Sequence, residues 1–535
     1  MDRRSFLAGI GQISAASAAL STLGISPISE VEAAPSVLRN TNPGSAERRV
    51  KALQIRQQAA TNAFRAPIAL HAINGDEEYS SKFASFTKTL PHNALGEVDL
   101  AAYDVYSNAF QTGNPADFDL IPSGGPVKLA NPQAAFAFAL EGRDSFVLDI
   151  PAPPAFSSEE SAGEMAELYW HGLTRDIPFS QYGAEPITQA AITDLKRFSY
   201  FSGVNAGNVF RGETAGDRVG PYLSQFLVLD IPYGANSIVQ RSRTPAPGTA
   251  LLTSYDEWLS CQNGMAPTRG APMATDPHYL RNARDLAEWV HRDFSSQGFL
   301  SAALIALTYG GAALDDANPY KTNTRQGAFV TFGGPYILDL VTKVTQYALK
   351  AVWCQKWMLH RKLRPETFGG RIHNQLTGAA TYPIHEKLLN SSVLDQIISQ
   401  QGTYLLPQAF PEGSPTHPSF PAGHAAIGGA CATVLKAFFK ESFVLPNPMV
   451  ATDDGQMLTH WAGESLTLGG ELNKLAANIS LGRDMAGIHY RSDGIDGMAL
   501  GEKVAIALLQ ELRATYNEAF AGFTLTKFDG STITL

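Results

Sequence analysis

Positive charge is in short supply in this chain. Its 41 lysines and arginines face 50 aspartates and glutamates, a formal net charge of −9 at pH 7. That balance argues against a nucleic-acid binder and provides no basic tail for an anionic membrane surface. A site that uses anions must therefore be a local island of positive charge. Cysteine is scarcer still, with only Cys261, Cys354 and Cys431 in 535 residues. Three thiols build neither a disulfide framework nor a spaced metal site. Cys431 falls on the apolar face of a predicted helix and reads as a buried thiol, while one bridge between Cys261 and Cys354 stays open. No apolar run has the ~20 residues that a membrane span requires, and no repeat with a period of about 20–50 residues is visible. Strand signals are sparse, so the chain reads as mainly α-helical.

With 44% hydrophobic residues the chain can bury a large core, although its length fits one large domain or three ordinary ones. The N-terminus reads as targeting rather than structure. Arg3-Arg4-Ser5-Phe6-Leu7 is a twin-arginine pattern, followed by a weakly apolar run to about Ile25 and small residues around Val31-Glu32-Ala33. Residues 1–33 are expected to be a signal segment that sends the folded protein to the periplasm or outside, a disordered arm being the plainer alternative. Residues 34–44 read as linker. Residues 45–535 read as a single large helical domain, with its active-site half at about 276–515.

Helices are expected over Ser45–Phe64, after a capping box at Ser157-Ser158-Glu159-Glu160, and over Ile187–Phe201. Another is expected from a cap at Asp276-Pro277 to Ser295, resuming over Phe299–Tyr309. A long helix should run from Tyr336 to about Leu363, where Pro365 ends it. Further helices are predicted at 384–400, 424–440, 464–485 and 491–515, with a short strand or hairpin over Phe523–Leu535. The charged stretch Asn205–Gln225 has the wrong glycine spacing for a phosphate loop, so a structural turn or a subunit contact is the better reading.

Three stretches carry the chemistry. The first, Lys356 to Arg364, is rich in fixed positive charge, and Trp353, Lys356 and His360 share a helix face by spacing. Its plain reading is a solvated charged helix end. The second, His417 to His424, is a stiff proline-bearing loop that ends where a helix begins. Free N–H groups and the positive dipole end make that point an anion seat. In the third, Arg483 and His489 stand six apart, so a break near Gly487 is needed for both to face one point. Asp493, four residues on, can take the imidazole proton and fix its tautomer, or form an ordinary surface pair. Three cations in one dry pocket would call for an anion, because each unpaired buried ion costs several kcal/mol. An oxyanion with several oxygens matches guanidinium forks and backbone N–H groups.

On these stretches the chain resembles the vanadium-dependent haloperoxidases, in their bromoperoxidase branch. The matching text is KWMLHRKLRPETFGG, LLPQAFPEGSPTHPSFPAGHA and LGRDMAGIHYRSD, supported by FRGETAGDRVGP and WVHRDF. The resemblance implies a large helical-bundle fold with few strands, vanadate as cofactor and no haem. It implies that His489 ligates vanadium, and that Lys356, Arg364, Arg483 and the Gly423 N–H hold the oxygens. His424 would be the acid–base and Lys356 would polarise bound peroxide. Trp353 would line the site and His417 would tune it. Asp293, by its spacing, would pair with Arg483, or be a simple surface carboxylate. The implied reaction oxidises bromide or iodide with hydrogen peroxide to hypohalous acid, which halogenates small organic acceptors. A homo-oligomer is implied too, while the charge balance leaves neither nucleic acid nor membrane as an expected partner.

Ala422 departs from the pattern, which has a serine there that hydrogen-bonds the vanadate. A hydrogen bond to a charged group contributes roughly 1.5–3 kcal/mol, so its loss would weaken anion binding by about 10- to 100-fold. The same skeleton serves acid and lipid phosphatases, in which His489 would act as nucleophile. A catalytically silent oxyanion-binding protein is a third reading.

Overall fold

A computed structural model describes residues 44–535. The signal segment expected at 1–33 lies outside the described residues, as does the expected linker apart from Gly44. The chain divides into two units between Gln58 and Ala59, and helix Ser45–Arg65 crosses that boundary. The second unit is a bundle of helices with short hairpins. The helices that frame the site are α1 (Glu159–Thr174), α2 (Ala283–Arg292), α3 (Gln297–Leu307), α4 (Gly334–Cys354), α5 (Pro365–Leu376), α6 (Gly423–Phe438), α7 (Leu468–Met485) and α8 (Arg491–Arg513). Three antiparallel two-stranded hairpins complete it, and the last pairs Thr524–Thr526 with Thr532–Thr534, as the alternation at the C-terminus predicts.

Helix α6 is the axis of the core. Of its residues only His424 is not fully buried. Its glycines and alanines let α8 approach closely: a Cβ on Gly429, Gly497 or Gly501 would run into the backbone of Met498, Ala422 or Ala426. Ile427, Val434, Leu435 and Phe438 pack with Ile337, Val341 and Val344 of α4 and Leu472, Leu475 and Ile479 of α7. Burial of each such side chain contributes about 1.5–3 kcal/mol, which fixes the α6 N-terminus rigidly under the site.

Several expected boundaries shift. The helix at α2 starts after Asn282, whose side chain caps Asp285 N–H, and not at Asp276-Pro277. Residues before it are extended, with Ser242 bridged to His278. Ser158 caps α1 through Ser161 N–H, without the reciprocal carboxylate of a capping box. The long helix ends at Cys354, continues as one wide π-type turn over Gln355–His360, and breaks at Arg361, which has φ 28°. Pro365 does not end that helix; it occupies the first turn of α5, where its missing N–H has no consequence. The three cysteines are buried and free, which closes the Cys261–Cys354 alternative. The loop at 205–225 is a structural turn: the Arg211 guanidinium donates to the carbonyls of Asp217 and Gly220 at 2.9 and 3.0 Å.

Candidate active site

The three stretches meet, and Arg364 is the residue that joins them. Its guanidinium, fully buried, donates Nε to the His417 carbonyl at 2.9 Å and Nη2 to His417 Nδ1 at 3.0 Å. Nη1 donates to the Ile488 carbonyl at 2.7 Å and to His489 Nε2 at 3.0 Å. Lys356, also fully buried, donates to the carbonyls of Pro418 and Ser419 at 2.7 and 2.6 Å. The first stretch is therefore not a solvated helix end. The face shared by Trp353, Lys356 and His360 survives the π-type turn and lies along the second stretch. Trp353 packs on His417 with ring centroids 4.9 Å apart, and His360 meets Phe420 edge-on at 4.9 Å.

The helix at 468–485 does break where a turn is needed. Gly487 takes φ 83°, a left-handed conformation costly for any residue with a Cβ, so Arg483 and His489 both point inward. Arg483 donates Nη1 to the Val290 carbonyl at 2.7 Å and lies over the Phe410 ring at 5.5 Å, while its buried Nε has no hydrogen-bond partner among the described residues. His489 Nδ1 lies 2.8 Å from Asp493 Oδ2. Arg364 can only donate. His489 Nε2 must then accept, so the ring proton sits on Nδ1 and points at Asp493. The spacing reading of that pair as a buried orienting contact, not a surface pair, agrees with the geometry.

One expected pairing fails. Asp293 makes no direct ion pair with Arg483, although its charge is the chief one that opposes the burial of that guanidinium; its Oδ1 lies 3.0 Å from His424 Nε2. The residue begins the chain's exit from α2, and that turn carries its carboxylate across to the α6 N-terminus. Ala422 is the cap residue of α6, buried, with its N–H donated to the Asp493 carbonyl at 2.8 Å. Gly423 follows in the first turn, where N–H groups lack an intrahelical acceptor.

Burial dominates the electrostatics. It pushes Lys356 far below the usual lysine range, with the Arg364 charge adding to the effect. Burial likewise pushes Arg364 down to about 9 and Arg483 to about 10. His489 and His417 are driven well below the ordinary histidine value, by burial and then by neighbouring cations. Asp493 resists burial because the Lys362 charge and the His489 hydrogen bond hold it far below the carboxylate range. This donor set fits an anion with several oxygens: three buried cations, a guanidinium Nε without a partner among the described residues, the α6 N-terminus, and the His489 Nε2 lone pair, which Arg364 holds in this structure.

Spacing and pattern did not reveal Lys362, Ser419 or Glu164. Lys362 Nζ lies 3.2 Å from Asp493 Oδ1, and Ser419 Oγ donates to Asp493. Glu164 on α1 accepts from the Ser492 N–H at 2.6 Å. Only the fold brings these together, across sequence separations of 74 to 328 residues. Burial raises the Glu164 carboxyl to about 7. A carboxyl raised on folding contributes stability below its ordinary value of 4.5, and that contribution is lost as pH rises through 7. Glu164→Gln should therefore flatten the fall in stability between these pH values by about 1–3 kcal/mol. Denaturant melts of the vanadate-stripped protein across that range would show it, and parallel curves for both proteins would contradict it.

Comparison with known proteins shows what the chain as a whole is similar to. A family model described as the VCPO second helical-bundle domain matches residues 391–518. The vanadium-dependent bromoperoxidase of Ascophyllum nodosum is 36% identical over 492 residues, covering 86% of this chain and 87% of that protein. That of Corallina officinalis is also 36% identical, covering 86% and 92%. The homohexameric structure of the second vanadate-dependent bromoperoxidase from Ascophyllum nodosum superposes with a TM-score of 0.89 and 29% identity, over 97% of this chain and 95% of that one.

Proposed function

This chain belongs to the vanadium-dependent bromoperoxidase family, and from that premise we propose that its pocket seats vanadate and oxidises bromide or iodide with hydrogen peroxide. The protein is a vanadate-dependent haloperoxidase. The observation that carries the residue roles is the meeting of Lys356, Arg364 and His489 with the 417–424 loop that leads into α6, with the Arg483 charge near enough to act on Lys356 and Arg364. Bound vanadate would supply a Lewis-acidic centre that activates peroxide toward halide.

The chain's own residues do the rest. Lys356, Arg364, Arg483 and the Gly423 N–H hold the oxygens and offset their charge. His489 Nε2 is the ligand nitrogen, with its tautomer fixed by Asp493. Asp293 takes the Nε2 proton side of His424, which leaves His424 Nδ1 as the atom for proton exchange. Lys356, with two carbonyls already on its ammonium, has one N–H left to direct at peroxide. His417 holds Arg364, and Trp353 packs behind His417.

A halogenation assay on stripped protein tests this, with bromide, iodide and chloride, with and without orthovanadate. Turnover of bromide or iodide that appears only with vanadate, without haem absorbance, is the expected result. Phosphate-ester hydrolysis inhibited by vanadate would replace the reading with a phosphatase. Ala422→Ser restores a hydroxyl at the cap of α6, and vanadate affinity is expected to rise about ten-fold. Calorimetric titration of both stripped proteins checks this; equal affinities would remove Ala422 from the account.

Export and assembly follow the same reading. The twin-arginine pattern at Arg3-Arg4 supports export of the folded protein, which fractionation of cells expressing the full chain and an Arg3→Lys/Arg4→Lys variant would test. A homo-oligomer is expected by light scattering.

A further inference from the structure

Lys362 stands two residues before Arg364, and its side chain is almost wholly buried. Its Nζ lies 3.2 Å from Asp493 Oδ1, 3.3 Å from Ser492 Oγ, 4.0 Å from Glu164 Oε2 and 4.1 Å from the centre of the Tyr490 ring. Its carbonyl accepts the Ser419 N–H at 3.0 Å. One residue of the first stretch thus anchors both others: the loop that leads to Gly423, and the carboxylate behind His489. We propose that Lys362 is a positioning residue of the site, fixing the Asp493 carboxylate and the 417–424 loop so that the His489 ring stays aligned with Arg364 and the α6 N-terminus.

The division of labour on Asp493 carries the inference. Oδ2 accepts from His489 Nδ1 at 2.8 Å, from Tyr490 N–H at 3.2 Å and from Ser419 Oγ. Oδ1 has the Lys362 ammonium. Without that ammonium a buried carboxylate oxygen would lack its cation, and the group would gain by turning toward other donors and releasing His489 Nδ1. The ring would then lose the contact that orients Nε2. Burial opposes the Lys362 charge, but Asp493 and Glu164 more than offset it and hold the ammonium above the usual lysine value.

The consequence for vanadate rests on the proposed function, whereas the alignment of His489 is a property of the protein alone, so the test reads both. Stripped wild type, Lys362→Gln, Lys362→Arg and Glu164→Gln are titrated with orthovanadate. The same proteins, labelled with nitrogen-15 at histidine, are examined by NMR for the hydrogen-bonded Nδ1–H resonance that His489→Ala removes. Lys362→Gln is expected to weaken vanadate by about 10- to 100-fold and to lose that resonance, while Lys362→Arg and Glu164→Gln keep both. The double variant Lys362→Gln/Glu164→Gln removes the second carboxylate with the ammonium and carries the same expectation should the single variant not fold. An intact resonance in Lys362→Gln, or a Lys362→Arg protein as impaired as Lys362→Gln, would overturn the proposal. If wild type itself fails to bind vanadate, the vanadate reading falls, and the resonance still decides the role of Lys362.

Discussion

Arg364→Ala is expected to abolish vanadate binding at micromolar concentrations, and with it halide oxidation. Arg364 belongs to the first stretch and reaches both others, through His417, Ile488 and His489. Truncating one partner of a buried, hydrogen-bonded charge pair costs about 2–5 kcal/mol, or about 30- to several-thousand-fold in affinity. The variant also leaves the carbonyls of His417 and Ile488 without their donor, so the loop leading to Gly423 loosens as well. Arg364→Lys keeps the charge but not the fork that reaches four acceptors, and an intermediate loss is expected. Titration of stripped protein with orthovanadate reads this directly. Near wild-type affinity in Arg364→Ala would show that the anion sits elsewhere.

His424→Ala should separate binding from turnover. The imidazole is the only side chain of α6 that is not fully buried, and it leans on Asp293 rather than on the cations. Vanadate affinity is expected to stay near wild type, because Lys356, Arg364, Arg483 and the α6 N-terminus remain in place. Turnover is expected to fall by about 10²- to 10⁴-fold, the usual contribution of general acid–base catalysis. Asp293→Asn keeps the contact but not the charge, and should move the pH profile of kcat while leaving vanadate affinity alone. Steady-state rates and titrations on the same preparations check both. Equal losses of binding and rate in His424→Ala would make His424 an oxyanion holder, not a proton carrier.

Much of this site was legible in the residues. A proline-rich loop running into a small-residue helix marked the start of α6, Gly487 marked the break that turns His489 inward, and the spacing to Asp493 marked its orienting carboxylate. What escaped the sequence did so for physical reasons. Pro365 suits the first turn of a helix as well as the end of the preceding one, and only the backbone at Arg361 decides between them. Asp276-Pro277 and Asn282 are both good caps, and the extended bridge to Ser242 selects the later one. Asp293 had no local cue to its partner, because His424 lies 131 residues away. Lys362 looked like one more cation in a basic run. Its partners Asp493, Glu164 and Ser419 come from two helices and a loop, and no periodicity links them.

The most direct test of the central claim is the rate of bromide oxidation by the stripped protein as orthovanadate is added back. No activity without vanadate, a saturable rise with it, and competition by inorganic phosphate for the same seat are expected. Activity that is indifferent to vanadate, or a saturated vanadate complex that oxidises no halide, would contradict that claim.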